Sequence, residues 1–217
     1  MKIGFYKVCS SGNLRELDLE FTTGKCTVIH EAGEKTSCAI LALLAGVDDL
    51  EAGRLLLNDE EYHGYLAKRE HLEVFSYVFD EGIMLANLSL RENLLLPFRK
   101  RFEDKSLSEF DRKVHAWQKM LGIKIDLNLR PVMIDAADRK FLSVIRGLLT
   151  EPELLLIDDP YYILNKTERQ RMLDFLREVS KQQPLLIASA DDDFRDGFAD
   201  LVINLNKLGI SCAGTSK

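Results

Sequence analysis

A chain of 217 residues with 46% hydrophobic and 29% charged content can bury a real core, and its composition is that of an ordinary folded protein rather than a disordered one. The net charge of −6 excludes the concentrated basic face needed to release counterions from a phosphate backbone, so nucleic acid is not an expected partner. The four cysteines stand far apart with no Cys-x-x-Cys pair, and read as free thiols of a reducing compartment rather than as metal ligands.

From the N-terminus, residues 2–6 and 17–21 alternate apolar and polar side chains as half-exposed antiparallel strands do. Thr27-Val28-Ile29 is a short β-type run, followed by a polar loop through Glu34 and then by Lys35-Thr36, which opens an apolar helical stretch to Ala45. Between about residues 86 and 133 the texture changes to charged helical segments, such as 109–121, punctuated by Pro97 and Pro131. In that segment Trp117 falls on the apolar face with Val114 and Leu121. Two uniformly apolar runs follow, 154–157 and 185–188, each preceded by a helical pattern at about 135–149 and 166–181. Apolar strands alternating with helices imply a parallel sheet covered on both faces.

A phosphate-binding loop needs a strand, glycines at two fixed points, then Lys and Ser or Thr, because backbone N–H groups and a helix N-terminus close around phosphate oxygens. Lys35-Thr36 stands where the last two belong. With no gap, the glycine positions fall on Ile29 and Glu34 with Ala32 between them; if the loop has lost a residue, Gly33 is the retained glycine. Either way Glu31 and Glu34 lie beside the phosphates' place, where each like-charge contact costs roughly 1–4 kcal/mol. Downstream, the run Leu154 to Ile157 ends in Asp158-Asp159-Pro160, the position at which a nucleotide-hydrolysing enzyme holds Mg²⁺ and polarises water.

From Ile134-Asp135-Ala136-Ala137-Asp138 through Arg146, Pro152 and Asp158 to Pro160, the chain resembles the ATP-binding-cassette (ABC) ATPases, with the spacing from signature to Walker B kept without a gap. Tyr77-Val78-Phe79-Asp80 is similar to the family's Q-loop, residues 87–93 to the start of its helical subdomain, residues 161–165 to its D-loop, residues 187–191 to its switch strand and residues 208–214 to its closing strand pair. The resemblance implies an α/β fold of the P-loop NTPase class, ABC type. It would have a mainly parallel sheet core (1–85 and 134–217), N-terminal antiparallel strands and an inserted helical subdomain (86–133). It further implies ATP and Mg²⁺ as cofactors, with Gly33, Lys35, Thr36 and Ser37 binding nucleotide, Thr36, Asp80 and Asp158 serving the metal, and Asp159 catalytic. Asp135, Ala136 and Ala137 take the signature position.

Several of these positions depart from the family's pattern. The last Walker B carboxylate, normally Glu, is Asp159, shorter by a methylene, and a base that misses its water by an ångström or more loses orders of magnitude in rate. The Q-loop glutamine is Asp80, the switch histidine is Ala190, and the Ser-Gly-Gly that presents a helix N-terminus to phosphate is Asp135-Ala136-Ala137. An aspartate there is expected to cap its own helix. The resemblance therefore implies an ATP-binding subunit of a membrane transporter with weak or absent hydrolysis. No apolar run approaches the ~20 residues that span a bilayer, and the first residues lack the pattern of a secretory signal. The expected place is the cytoplasmic face of the plasma membrane, held by transmembrane permease subunits and paired with a second ABC ATPase, the same or different. The other reading is a non-catalytic regulatory or scaffold protein that borrowed the cassette outside any transporter.

Overall fold

The computed structural model describes residues 1–12, 14–32 and 36–208. In chain order it runs β1 (Lys2–Ser10), β2 (Leu17–Thr22), β3 (Cys26–His30), α1 (Thr36–Leu44), β4 (Leu50–Leu57), β5 (Glu60–Glu61), α2 (Tyr62–Ala67), α3 (His71–Val74) and β6 (Phe75–Val78). Then follow α4 (Leu90–Arg101), α5 (Leu107–Leu121), a 3₁₀ turn (Pro131–Met133), α6 (Ala136–Leu148), β7 (Leu154–Asp158), α7 (Lys166–Val179), β8 (Leu185–Ser189), α8 (Asp192–Gly197), β9 (Leu201–Asn204) and α9 (Leu205–Leu208).

Two sheets form. One is antiparallel, in the order β2-β1-β4-β5; the other is parallel, in the order β6-β7-β8-β3-β9. The expected mainly parallel core with N-terminal antiparallel strands is what the chain adopts. The parallel strands alternate across their own sheet. Leu155, Ile157, Leu185, Ile187, Cys26 and Val28 face one core cluster. Leu154, Leu156, Leu186, Ala188 and Ile29 face the other. The first cluster is closed by α4 to α7 and the second by α1 and the antiparallel sheet. Burial on both faces is why these strands read as unbroken apolar runs.

Between residues 86 and 133 the described elements are helical only, and they do not float free of the sheet. Leu90, Leu94, Phe98 and Phe110 share a buried cluster with Phe141 and Ile145 of α6. Val114 and Leu121 are buried there as expected, while Trp117 is half-buried with its ring edge-on to Phe175, centroids 5.9 Å apart. Ser89 starts α4 with a capping box to Glu92, and Gly122 ends α5 in the left-handed conformation at φ +66°. The strand pair expected at residues 208–214 is not formed at its first residue, because Leu208 closes the helix α9; the remainder lies outside the described residues.

Parallel pairing sets the carboxyl ends of β3, β7 and β8 side by side. His30 pairs with Ser189, and Asp158 with Ala188. In an open α/β sheet the crevice outside those ends is where ligands bind. At the opposite side of the second core, the His71 Nε2 is buried without a hydrogen-bond partner, and burial lowers its pKa below the ordinary 6.5. The folded state thus favours neutral imidazole, so stability is full above about pH 6.5 and is lost as pH falls through the lower folded value. Urea midpoints measured from neutral to mildly acidic pH should fall for the natural chain and fall less steeply for His71→Gln.

Candidate functional site: an acidic crevice at the strand ends

The strand β3 ends at His30 and the helix α1 starts at Thr36, so only residues 31–34 precede Lys35, fewer than the Gly-x-x-x-x-Gly that precedes the lysine of a phosphate loop. Ile29, the first glycine position of the gap-free pairing, lies inside β3, fully buried and in register with Ala188 and Ile203. Gly33 and Lys35, two of the residues expected to bind nucleotide, lie outside the described residues. The other two, Thr36 and Ser37, are buried in the first turn of α1.

The start of α1 already holds an anion. The Ser37 N–H donates to Oε2 of Glu31 at 2.7 Å, and the Glu31 side chain, from a residue only 3% exposed, keeps its other oxygen without a hydrogen-bond partner. The first N–H groups of a helix have no intrahelical acceptor and carry the positive end of its dipole. A carboxylate satisfies both needs, and so would a phosphate oxygen. Ala32 is tied down as well, its N–H donating to Asn206 Oδ1 of α9 at 2.8 Å.

At the end of β7, Asp158 is buried; its Oδ2 accepts from the Tyr77 hydroxyl at 2.9 Å and its Oδ1 has no partner. Burial first, and then the Asp158 charge, push the Tyr77 phenol well above its usual range, so it stays a donor. Asp159 is held in a left-handed backbone at φ +29°, with its N–H donating to Ala188 O at 3.0 Å. Its Oδ1 accepts from the Tyr161 N–H at 3.2 Å, so it is engaged by its own turn. Burial raises its pKa, against the opposing pull of that hydrogen bond and of the Lys140 charge. Asp80 Oδ1 accepts from the N–H of Glu81, and Ala190 is exposed with no polar group to offer.

Glu31, Ser37, Asp80, Asp158, Asp159 and Tyr162 line one cavity of about 250 Å³. The crevice therefore brings together the expected catalytic residue, two of the three expected metal residues and one expected nucleotide residue. The signature trio stands elsewhere. Asp135 is exposed and caps α6, its Oδ1 accepting from the Asp138 N–H at 2.7 Å, and Ala136 and Ala137 are already in the helix. Among the described residues no group of three or more His, Cys, Asp or Glu is arranged to hold a metal ion.

One residue of the site escaped the sequence reading. Lys140 is 0% exposed, and its Nζ donates to the backbone carbonyls of Phe79, Asp158 and Asp159, each at 3.0 Å. The signal was a lysine within the apolar stripe of α6, between Ala137 and Phe141, Val144 and Leu148 at helical spacing. Burial lowers its pKa to about 8, opposed by the charges of Asp159, Asp158 and Asp80.

No protein-family model matches the chain. It is 28% identical over 200 residues to the molybdenum import ATP-binding protein ModC of Pseudomonas fluorescens, covering 88% of this chain and 53% of that one. It is 24% identical over 169 residues to the molybdate/tungstate import ATP-binding protein WtpC of Pyrococcus abyssi (78% and 48%). It is 23% identical over 197 residues to the sulfate/thiosulfate import ATP-binding protein CysA 1 of Chromobacterium violaceum (89% and 54%). The chain spans about half the length of these relatives. A bacterial ABC transporter cassette solved as a dimer superposes with a TM-score of 0.79 at 16% identity, covering 93% of each chain. The same cassette in a post-hydrolysis state with ADP and phosphate superposes with a TM-score of 0.79 at 15% identity over 93% of each. The fold is that of the ABC cassette, and in sequence the chain is a relative of the ABC-type ATP-binding subunits of import systems.

Proposed function

We propose that this chain is the ATP-binding subunit of an ABC importer whose nucleotide site has been turned against phosphate, leaving weak or absent hydrolysis. The Glu31 carboxylate, accepting the Ser37 N–H in the place of a phosphate oxygen, carries the reading. A triphosphate entering the crevice would have to displace a covalently tethered anion from α1, and would then meet Asp80, Asp158 and Asp159 along the same wall. Lys35 and Mg²⁺ are the cations that could offset this, and the loop that would present Lys35 is short. The remaining changes point the same way. Asp159 is shorter than glutamate and engaged by Tyr161, Ala190 cannot contact a terminal phosphate, and Asp135 fills the N-terminus of α6 with its own carboxylate.

In this reading residues 1–85 and 134–217 form the nucleotide-binding core and 86–133 the helical subdomain, and the subunit pairs with a second ABC ATPase. ATP and Mg²⁺ are retained, if at all, as weak ligands of Gly33, Lys35, Thr36, Ser37, Asp80 and Asp158. Among the described residues no helix is long and apolar enough to cross a membrane, so attachment at the cytoplasmic face runs through permease subunits. A surface suited to them follows β6. Ile83, 49% exposed, lines a cavity of about 520 Å³ together with Met84, Pro131 and Val132, and Leu85, two residues on, is 48% exposed. Exposed apolar side chains beside a groove rimmed by polar residues suit an interaction site.

Two experiments test the reading. Glu31→Gln keeps an acceptor for Ser37 and removes the charge, so calorimetric titration should show MgATP binding about tenfold or more tighter than for the natural chain, the like-charge cost being roughly 1–4 kcal/mol. A natural chain that binds MgATP at micromolar concentration and turns it over near ~1 s⁻¹ contradicts the proposal. Ile83→Glu with Leu85→Glu should abolish co-purification with a membrane permease while shifting stability by no more than ~0.5 kcal/mol, as for other exposed positions.

A further inference from the structure

The carboxylates of the crevice need a cation, and the chain supplies one from underneath. Lys140 reaches the site from the second turn of α6 with no exposure to solvent, and all three hydrogens of its ammonium have acceptors. Those acceptors belong to separate chain segments. Phe79 follows β6, Asp158 ends β7 and Asp159 follows it. A buried ammonium is costly unless hydrogen-bonded and faced by negative charge, and here three carbonyls and the neighbouring Asp159, Asp158 and Asp80 meet that condition. Gly82 packs closely against the Lys140 backbone: its φ of +64° is open to few side chains, and an added Cβ would lie 2.7 Å from Lys140 Cα.

We propose that Lys140 is the resident cation of this crevice, a positioning residue that clamps the ends of β6 and β7 onto α6 and holds the carboxylate-bearing turn in shape without a bound metal. The proposal deepens the reading of a site released from nucleotide chemistry. It also separates into its own observable, because metal dependence of folding can be measured with no nucleotide present.

The test is thermal melting of the natural chain, Lys140→Met and Lys140→Arg, each with EDTA and with millimolar Mg²⁺. The natural chain should melt at the same temperature in both. Lys140→Met should melt roughly 10 °C lower in EDTA, the scale expected when one partner of a buried charge cluster is removed, and should recover part of the loss in Mg²⁺. Lys140→Arg, which keeps the charge, should fall between the two with little response to Mg²⁺. Melting of Lys140→Met equal to that of the natural chain, or a rise for the natural chain in Mg²⁺ as large as for the variant, overturns the proposal. If Lys140→Met does not fold, the natural chain decides: indifference to Mg²⁺ together with a folded, indifferent Lys140→Arg supports the clamp, and stabilisation by Mg²⁺ contradicts it. Tight MgATP binding in parallel titrations would sink the proposed function and leave this result standing.

Discussion

A buried helix N-terminus at the end of a central parallel strand has to be given negative charge, and in this chain that charge is built in. The 2.7 Å contact from the Ser37 N–H to Glu31 closes the start of α1 from within the preceding loop. The strand order places β3 between β8 and β9, so Glu31 follows a central strand at the sheet's carboxyl edge. In a phosphate-binding protein the same helix end stays unsatisfied until ligand arrives, and the gain on satisfying it is part of the binding energy. Here, at the Ser37 N–H, Glu31 already supplies the acceptor in the folded chain.

The same logic recurs across the crevice. At α6 the Asp138 N–H is met by Asp135, and after β7 the Asp159 carboxylate is met by its own turn through the Tyr161 N–H. Lys140 supplies positive charge from beneath the turn, fixed in place by three carbonyls. A site whose donors are capped by its own acids and whose acids are balanced by its own lysine keeps its architecture without depending on a ligand.

Much of the fold was legible because doubly buried parallel strands leave continuous apolar runs, and β3, β7 and β8 all announce themselves this way. β4 did not, since its first half is exposed and Gly53 sits there at φ +85°, which breaks the alternation that marks a strand. β5 and β9 are too short to carry a pattern. At the site, Asp158 and Asp159 were legible as acids ending an apolar run, and Asp80, like Asp135 away from the crevice, through the resemblance to the family's Q-loop and signature. What could not be read was direction. Sequence places Glu31 near the phosphates' position, but only the structure shows its carboxylate turned onto the Ser37 N–H. Lys140 was hidden for a related reason, as its meaning depends on carbonyls from residues 61 and 18 or 19 positions away.

The most direct trial of the account is a crystal structure of the purified chain grown with saturating MgATP. The account predicts Glu31 still within hydrogen-bonding distance of the Ser37 N–H, and no phosphate density at the start of α1. A nucleotide whose phosphates occupy that position, with the Glu31 side chain swung aside, would contradict it.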